Sequence, residues 1–319
     1  MVVKDSQHAK KGFVLIVVLG MIMALTVILL GFNRSTRIRL KTADVLRESH
    51  QAINCTHAGL NVAIAAIRQS APLPTHDSMR PFLGGDKGLP LEQGTCWIKL
   101  TTENGKLNLN KLKDSNGRLD RARIDQLLRL IDLLNNKAAD SERISYDVVP
   151  AIIDWTDNDD KITHLPFVKK ENVGAESEYY GSLNPSLIPS NQALDSCAEI
   201  LQIKGITPLM YQQLKEHITV KGDGKIDINS ASKPILQSFS HEIDPALAQI
   251  IINRRKIKPY TNLEELREIP GMTSKTCAVI SKTATVAPSN PYYRVQLMGD
   301  AHGIQHRAEA LLKKNTRTR

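Results

Sequence analysis

Several motifs of enzyme chemistry are missing from this chain. There is no GxSxG, no HExxH and no phosphate-binding loop, and its nine histidines are scattered. His164, the histidine near the main acidic stretch, reads as a surface residue, and the chain is expected not to be an enzyme. Cysteine is sparse. Cys55, Cys96, Cys197 and Cys277 show no CxxC or CxxH spacing, which excludes zinc ribbons, thioredoxin-like redox motifs and haem attachment. Outside the cytoplasm the even count permits up to two disulfides among them, with the pairing open. Four buried free thiols are the other reading. Charge is absent from Phe13 to Phe32, and proline is absent from Asn33 to Ser70.

The formal charge of +9 suggests nucleic acid until it is located along the chain. Residues 1–12 hold Lys4, Lys10 and Lys11 against Asp5. The tail from Ala301 holds Arg307, Lys313, Lys314, Arg317 and Arg319 against Glu309. Most of the excess sits at the ends, and a basic leader is what the positive-inside rule asks of a cytoplasmic flank.

FVLIVVLGMIMALTVILLGF, residues 13–32, is an uncharged twenty-residue run. At 1.5 Å per residue it spans the ~30 Å hydrocarbon core, so a transmembrane segment is expected there. It is too long for the apolar core of a conventional signal peptide. The upstream junction Lys10-Lys11-Gly12-Phe13 resembles prepilin leaders, in which a membrane peptidase cuts after the glycine and the new amine, often on phenylalanine, is methylated. The resemblance marks Gly12 and Phe13 as processing residues and 1–12 as a cleavable leader. At the fifth mature position, where the prepilin pattern has glutamate, stands Val17. Such a carboxylate pairs with the amine of the next subunit, so its absence implies a filament-tip position. Small or apolar residues at Ile38, Val45, Ala52, Cys55, Ala58, Val62 and Ala66 extend helical periodicity toward Pro72. One long helix over 13–71 is expected.

After a Pro/Gly-rich connection, TCWIKLTT (95–102) reads as a strand, and YYRVQLM (292–298) and HRAEALL (306–312) as its partners, joined by a turn containing Gly299, Asp300 and Gly303. The pilin-like part is thus expected over 72–113 and 286–319. Between them, 114–285 reads as an inserted helical domain, with helices at 120–135, 148–155, 194–203, 208–218, 233–239 and 245–255. The fold class is α+β: a long N-terminal helix packed on a small antiparallel sheet, with a large helical subdomain.

Asp154-Trp155-Thr156-Asp157-Asn158-Asp159-Asp160 gathers hard oxygen donors, and Glu176 and Glu178 follow. Calcium takes six to eight such oxygens with loose geometry. The glycine and terminal glutamate of an EF-hand are missing, so that motif is not supported. On the residues alone, a calcium site and a solvated acidic loop capping the preceding helix are both open.

The order LNLNKL (107–112), AIIDWTDND (151–159), GAESEYY (174–180), KIDINSASKPIL (225–236) and a terminal strand pair resembles the type II secretion system minor pseudopilin K family, general secretion pathway protein K, along essentially the whole chain. The resemblance implies a subunit at the tip of the periplasmic pseudopilus, anchored in the bacterial inner membrane. Its implied partners are the I- and J-type minor pseudopilins and the prepilin peptidase. It also implies calcium as the bound ion, with Asp154, Asp157, Asp159 and Glu176 as ligands. Ser177 departs from the family, which tends to have an acid there.

A second reading starts at Lys225. Residues 225–285 resemble the helix-hairpin-helix units of competence-type DNA receptors, whose glycine hairpins let backbone N–H groups approach phosphate. Ile269-Pro270-Gly271-Met272 is a good hairpin, and Arg254, Arg255, Lys256 and Lys258 form a basic patch. No glycine stands between Leu236 and Ala246, although Gly205-Ile206 could form an isolated hairpin. Packing of partners is therefore favoured over binding of nucleic acid.

Overall fold

The structure is a computed structural model and describes residues 6–69, 85–114, 116–136 and 138–314. The segments Met1–Val62, Gly84–Ile98 and Leu297–Ala308 group as one compact unit. Ala63–Leu83, Lys99–Gln296 and Glu309–Arg319 group as a second.

Helix α1 (Ser6–Gln69) runs 64 residues. It is continuous through Gly12 and Phe13, so it begins upstream of the residue where the sequence placed its start, while the expected end at 71 falls outside the described residues. Its apolar stretch is exposed, Phe13 at 70% and Leu29 at 65%, and it is long and apolar enough to cross a membrane. Further along, Ala52, Cys55, Gly59, Ala63 and Ile67 are buried. That stripe is turned slightly from the expected one. Ala58, Val62 and Ala66 are only half-buried, and Ile38 and Val45 are exposed. Small residues decide which side packs: a Cβ at Gly59 would fall on the Cys96 sulfur.

Strands β1 (Leu89–Leu91), β2 (Gly94–Thr102), β7 (Tyr292–Ala301) and β8 (Ile304–Lys313) form a sheet in the order β1-β2-β7-β8, with β1 and β2 antiparallel. Both long terminal strands alternate in burial, as a sheet with one packed face requires. β1 escaped the sequence pattern because Pro90 interrupts a three-residue run. Gly299 was expected in the turn and lies within β7. A side chain there would meet the Ala52 carbonyl and Thr56 hydroxyl of α1, so glycine permits the close approach. Thr56 also stands within 3.2 Å of His306 Nδ1 on β8. The turn itself is His302-Gly303, both with positive φ.

Short strands of the second unit, β3 (Leu107–Asn108), β4 (Ile218–Thr219), β5 (Ile226–Asp227) and β6 (Ala284–Thr285), pair in parallel as β3-β4 and β5-β6. Its helices are α2 (Arg121–Asn135), α3 (Val148–Thr156), α4 (Ser177–Gly181), α5 (Pro208–Leu214), α6 (Lys233–Ser238), α7 (Pro245–Ile257) and α8 (Ser274–Thr283). Asp120 caps α2 by accepting from the Arg123 N–H at 3.2 Å, a bond worth about 1 kcal/mol. Ile124, Leu127 and Ile131 of α2 join Ile152 and Trp155 of α3, Ile235 of α6, Ile251 of α7 and Ile280 of α8 in one apolar core. The helix expected over 194–203 is instead a 3₁₀ turn at Cys197–Gln202. The one expected over 208–218 stops at Leu214, because Ile218 enters β4.

The second unit contains one local design twice. Asn110 donates to the Leu194 and Val220 carbonyls (2.9 and 3.0 Å) and accepts from the Leu194 N–H (2.8 Å). Asn229 donates to Tyr260 and Val286 carbonyls (2.9 and 3.5 Å) and accepts from the Tyr260 N–H (2.8 Å). Capping boxes Ser196/Glu199 and Asn262/Glu265 open the following 3₁₀ turns. Gly205 (φ +80°) and Gly271 (φ +90°) turn the chain, and Thr207 and Thr273 cap α5 and α8. From Leu194 and Tyr260 through Val220 and Val286 these counterparts stand 66 residues apart, whereas Asn110 and Asn229 stand 119 apart. The glycine counterpart of Gly271 is therefore Gly205, not a residue between Leu236 and Ala246. The first copy is longer between Asn110 and Leu194, where it holds α3, the acidic loop and α4.

Candidate metal centre

Helix α3, VVPAIIDWT, is buried from Val148 to Trp155, including Asp154 at 0% exposure. A carboxylate there needs donors. It accepts from the Thr163 N–H through both oxygens at 3.0 and 3.2 Å, and the Thr163 hydroxyl and Ala175 N–H add to them. Burial nevertheless raises its pKa, and Asp157 adds to the rise. Gly174 lies so close to this carboxylate that a Cβ would fall on it. Asp154 thus fastens the two arms of the loop, which also pair through a His164–Val173 bridge and a 2.7 Å bond from the Leu165 N–H to the buried Asn172.

Beyond the end of α3, Asp157, Asp159 and Glu176 bring ligand oxygens within 4.8 Å of one another. Glu176 precedes α4 and is 3% exposed. Neither of its buried oxygens has a hydrogen-bond partner. Burial first, then the charges of Asp154, Asp157, Asp160 and Asp159, push its pKa up to about 8. One Asp157 oxygen is likewise buried without a partner, and the other pairs with the Lys113 ammonium. Asp159 accepts from the Lys161 N–H (3.0 Å) and Asp160 from the Ser177 N–H (3.2 Å).

Carboxylates crowded together, one buried without a donor, form an environment that a hard cation relieves. The donor set therefore fits calcium. Of the four ligands implied from sequence, three converge. Asp154 is adjacent but committed to holding the loop. Lys113 and Asp160 were not anticipated: Lys113 is distant in sequence, and Asp160 differs from its acidic neighbours only in where its carboxylate points. His164 is exposed, as expected.

All four cysteines are buried free thiols. Burial raises the pKa of each, and that of Cys96 reaches about 11 with Cys55 contributing. Such thiols are poor nucleophiles at neutral pH.

Much of the basic patch is engaged within the fold. Arg254 pairs with Glu265 and Glu268 (3.3 and 3.0 Å), and Arg255 donates to the Ile228 and Ala231 carbonyls (2.6 and 2.7 Å). At the start of α8, where a hairpin would present N–H groups to phosphate, Glu242 already accepts from Thr273 (2.8 Å) and from Thr276. An acid at that position repels a phosphate.

A family model described as type II secretion system (T2SS), protein K matches residues 105–223, and one for the helix-hairpin-helix motif matches 221–284. Type II secretion system protein K of Klebsiella pneumoniae is 25% identical over 228 residues, which is 70% of this chain and 66% of that protein. Putative type II secretion system protein K of Escherichia coli strain K12 is 30% identical over 115 residues, 34% of this chain and 33% of that protein. The matched region thus spans just under two thirds and about a third of the lengths of these relatives. A chain in the crystal structure of the GspK-GspI-GspJ complex from the enterotoxigenic Escherichia coli type 2 secretion system shares the fold. It superposes with a TM-score of 0.63 and 18% identity over 85% of this chain and 93% of that one. The family model lies across the acidic loop and the first of the two repeated units, the helix-hairpin-helix model covers the second, and the relatives carry the same name: over these parts the chain is similar to the type II secretion system protein K family.

Proposed function

We propose that this chain is a minor pseudopilin at the tip of the pseudopilus of a type II protein secretion system, where it helps start or cap the filament that exports folded proteins. The observation that carries this reading is α1. One helix joins an exposed, uncharged apolar segment to a stripe of small residues that packs on a sheet, so it serves as membrane anchor and as packing element. The leader would be cut between Gly12 and Phe13 by the prepilin peptidase, the new amine methylated, and the body left in the periplasm with the inner membrane as anchor. Val17 offers no carboxylate to the amine of a subunit above it, which suits a terminal position. The helical insertion adds bulk that would block further stacking. The role is structural, not catalytic.

The partners are I- and J-type minor pseudopilins, as in the complex that supplies the shared fold. Co-expression of this chain with both, followed by affinity capture, is expected to recover a ternary complex. Capture of this chain alone under conditions where the other two associate would sink the partner assignment.

Asp157, Asp159 and Glu176 would hold a calcium ion, which supplies positive charge to a crowded acidic loop. Asp154 would shape that loop from below. The DNA-receptor reading is disfavoured by the internal pairing of Arg254 and Arg255 and by Glu242 at the hairpin.

A further inference from the structure

Charge on the two sides of the apolar span is unbalanced in an unexpected direction. Residues 1–12 carry three lysines against one aspartate. Residues 33–47 carry Arg34, Arg37, Arg39, Lys41 and Arg47 against Asp44 alone. With the body in the periplasm, the more basic flank lies on the side that the positive-inside rule leaves poor in Lys and Arg. An anionic environment on that side would offset this arrangement.

Position names the environment. At 1.5 Å per residue, Arg34 lies about 3 Å and Lys41 about 13 Å beyond Phe32 along the helix axis. The polar layer on each face of a bilayer is roughly 5–7 Å thick, and long basic side chains reach back toward it along their apolar stems. Arg34, Arg37, Arg39 and Lys41 are all exposed, and no acid lies between Phe32 and Asp44. Arg34, Arg37 and Lys41 share one shallow groove of α1 with Leu30 and Ile38, with Asp44 at its far end, so three cations and apolar contacts face the same way. Guanidinium groups pair with phosphate through paired donors, which suits phosphodiester headgroups.

We propose that Arg34, Arg37, Arg39 and Lys41 form a collar on α1 that binds the phosphates of anionic phospholipids in the leaflet next to the body. The inference rests on the membrane-anchor reading. The collar would fix the depth and tilt of the helix, and so the height at which the body stands above the membrane.

The test is native mass spectrometry of the full chain released from nanodiscs containing phosphatidylglycerol and phosphatidylcholine. The parent is compared with R34Q/R37Q/R39Q/K41Q and with the charge-preserving R34K/R37K/R39K. Parent and lysine variant should retain phosphatidylglycerol preferentially, and the glutamine variant should retain it several-fold less, with phosphatidylcholine unchanged. Equal phosphatidylglycerol retention by parent and glutamine variant would overturn the collar. So would displacement of the lipid by excess inorganic phosphate, which would mark a general phosphate site. Unchanged lipid retention with loss of I- and J-type partners from the glutamine variant would also overturn it, in favour of a protein contact. Failure of the parent to stay in nanodiscs at all would instead remove the anchor reading.

Discussion

Glu176 carries two buried oxygens without a donor, beside Asp157 and Asp159, and this distinguishes the loop from an ordinary acidic surface. Saturating calcium at about one hundred times its dissociation constant stabilises a one-site protein by about 2.7 kcal/mol. The parent should therefore melt several degrees higher with calcium than with chelator, and D157A and E176A should lose most of that difference. D154A should lower the melting temperature in both conditions, because Asp154 holds Thr163 and the loop backbone. Scanning calorimetry separates the two patterns, and an unchanged calcium response in E176A would contradict the site. A second buried acid has a different logic. Burial pushes Asp227 up to about 6, against the bonds from Ser230 and Asn229 and the nearby Arg255. Its stabilising contribution is present below about pH 4 and lost as pH rises through 6, at most about 3 kcal/mol at 1.36 kcal/mol per pKa unit. D227N should remove this slope and be tolerated, because Asn108 occupies the counterpart position in the first repeat and likewise accepts from the N–H two residues on. Denaturation midpoints at pH 4 and pH 7 check it: identical slopes in parent and variant would contradict the assignment. Glu103 has the opposite sign. Burial works to raise its pKa, but Arg294 and Lys106, bonded at 2.8 Å each, outweigh it and hold the carboxyl below its ordinary value. Its contribution is lost as pH falls, and E103Q at neutral pH should cost about 3 kcal/mol, as breaking a buried pair does.

Among elements, α1 and β7 meet where β7 has no room for a side chain at Gly299. G299V should dislodge the strand from the helix, since the added atoms would meet the Ala52 carbonyl and Thr56. A loss of about 3 kcal/mol or more in chemical denaturation is expected, with G303A, whose glycine has open space around it, milder despite its positive φ. Elements with strong local signals were legible in the sequence: the uncharged run of α1, the apolar spacing of α2, the alternation of β2, β7 and β8. The strands β4 and β6 were not, because two residues paired in parallel leave no periodicity, and Ile218 continues the helical spacing of α5. The repeat was hidden because the first copy is interrupted by the acidic loop and shares mainly caps and glycines with the second. For the site, the aspartates could be read from their spacing. Which of them converge could not, since Asp154 points into the loop backbone and Lys113 arrives from another part of the chain.

At the scale of the whole molecule, the chain combines a long helix, a sheet and a doubled helix-hairpin-helix unit, and the acidic loop is built into the longer copy. The apolar segment of α1, the hairpins and the acidic loop are separate parts of one chain, so under the proposed anchor role changes at the acidic loop should leave membrane association intact. E176A should fractionate with membranes as the parent does, and its appearance in the soluble fraction would contradict that separation. The central claim, that this is a processed pseudopilin, is tested most directly by intact mass and N-terminal sequencing of the chain recovered from membranes of cells with and without prepilin peptidase. The expected result is a chain starting at methylated Phe13 only when the peptidase is present. An uncut chain starting at Met1 in both cells would contradict it.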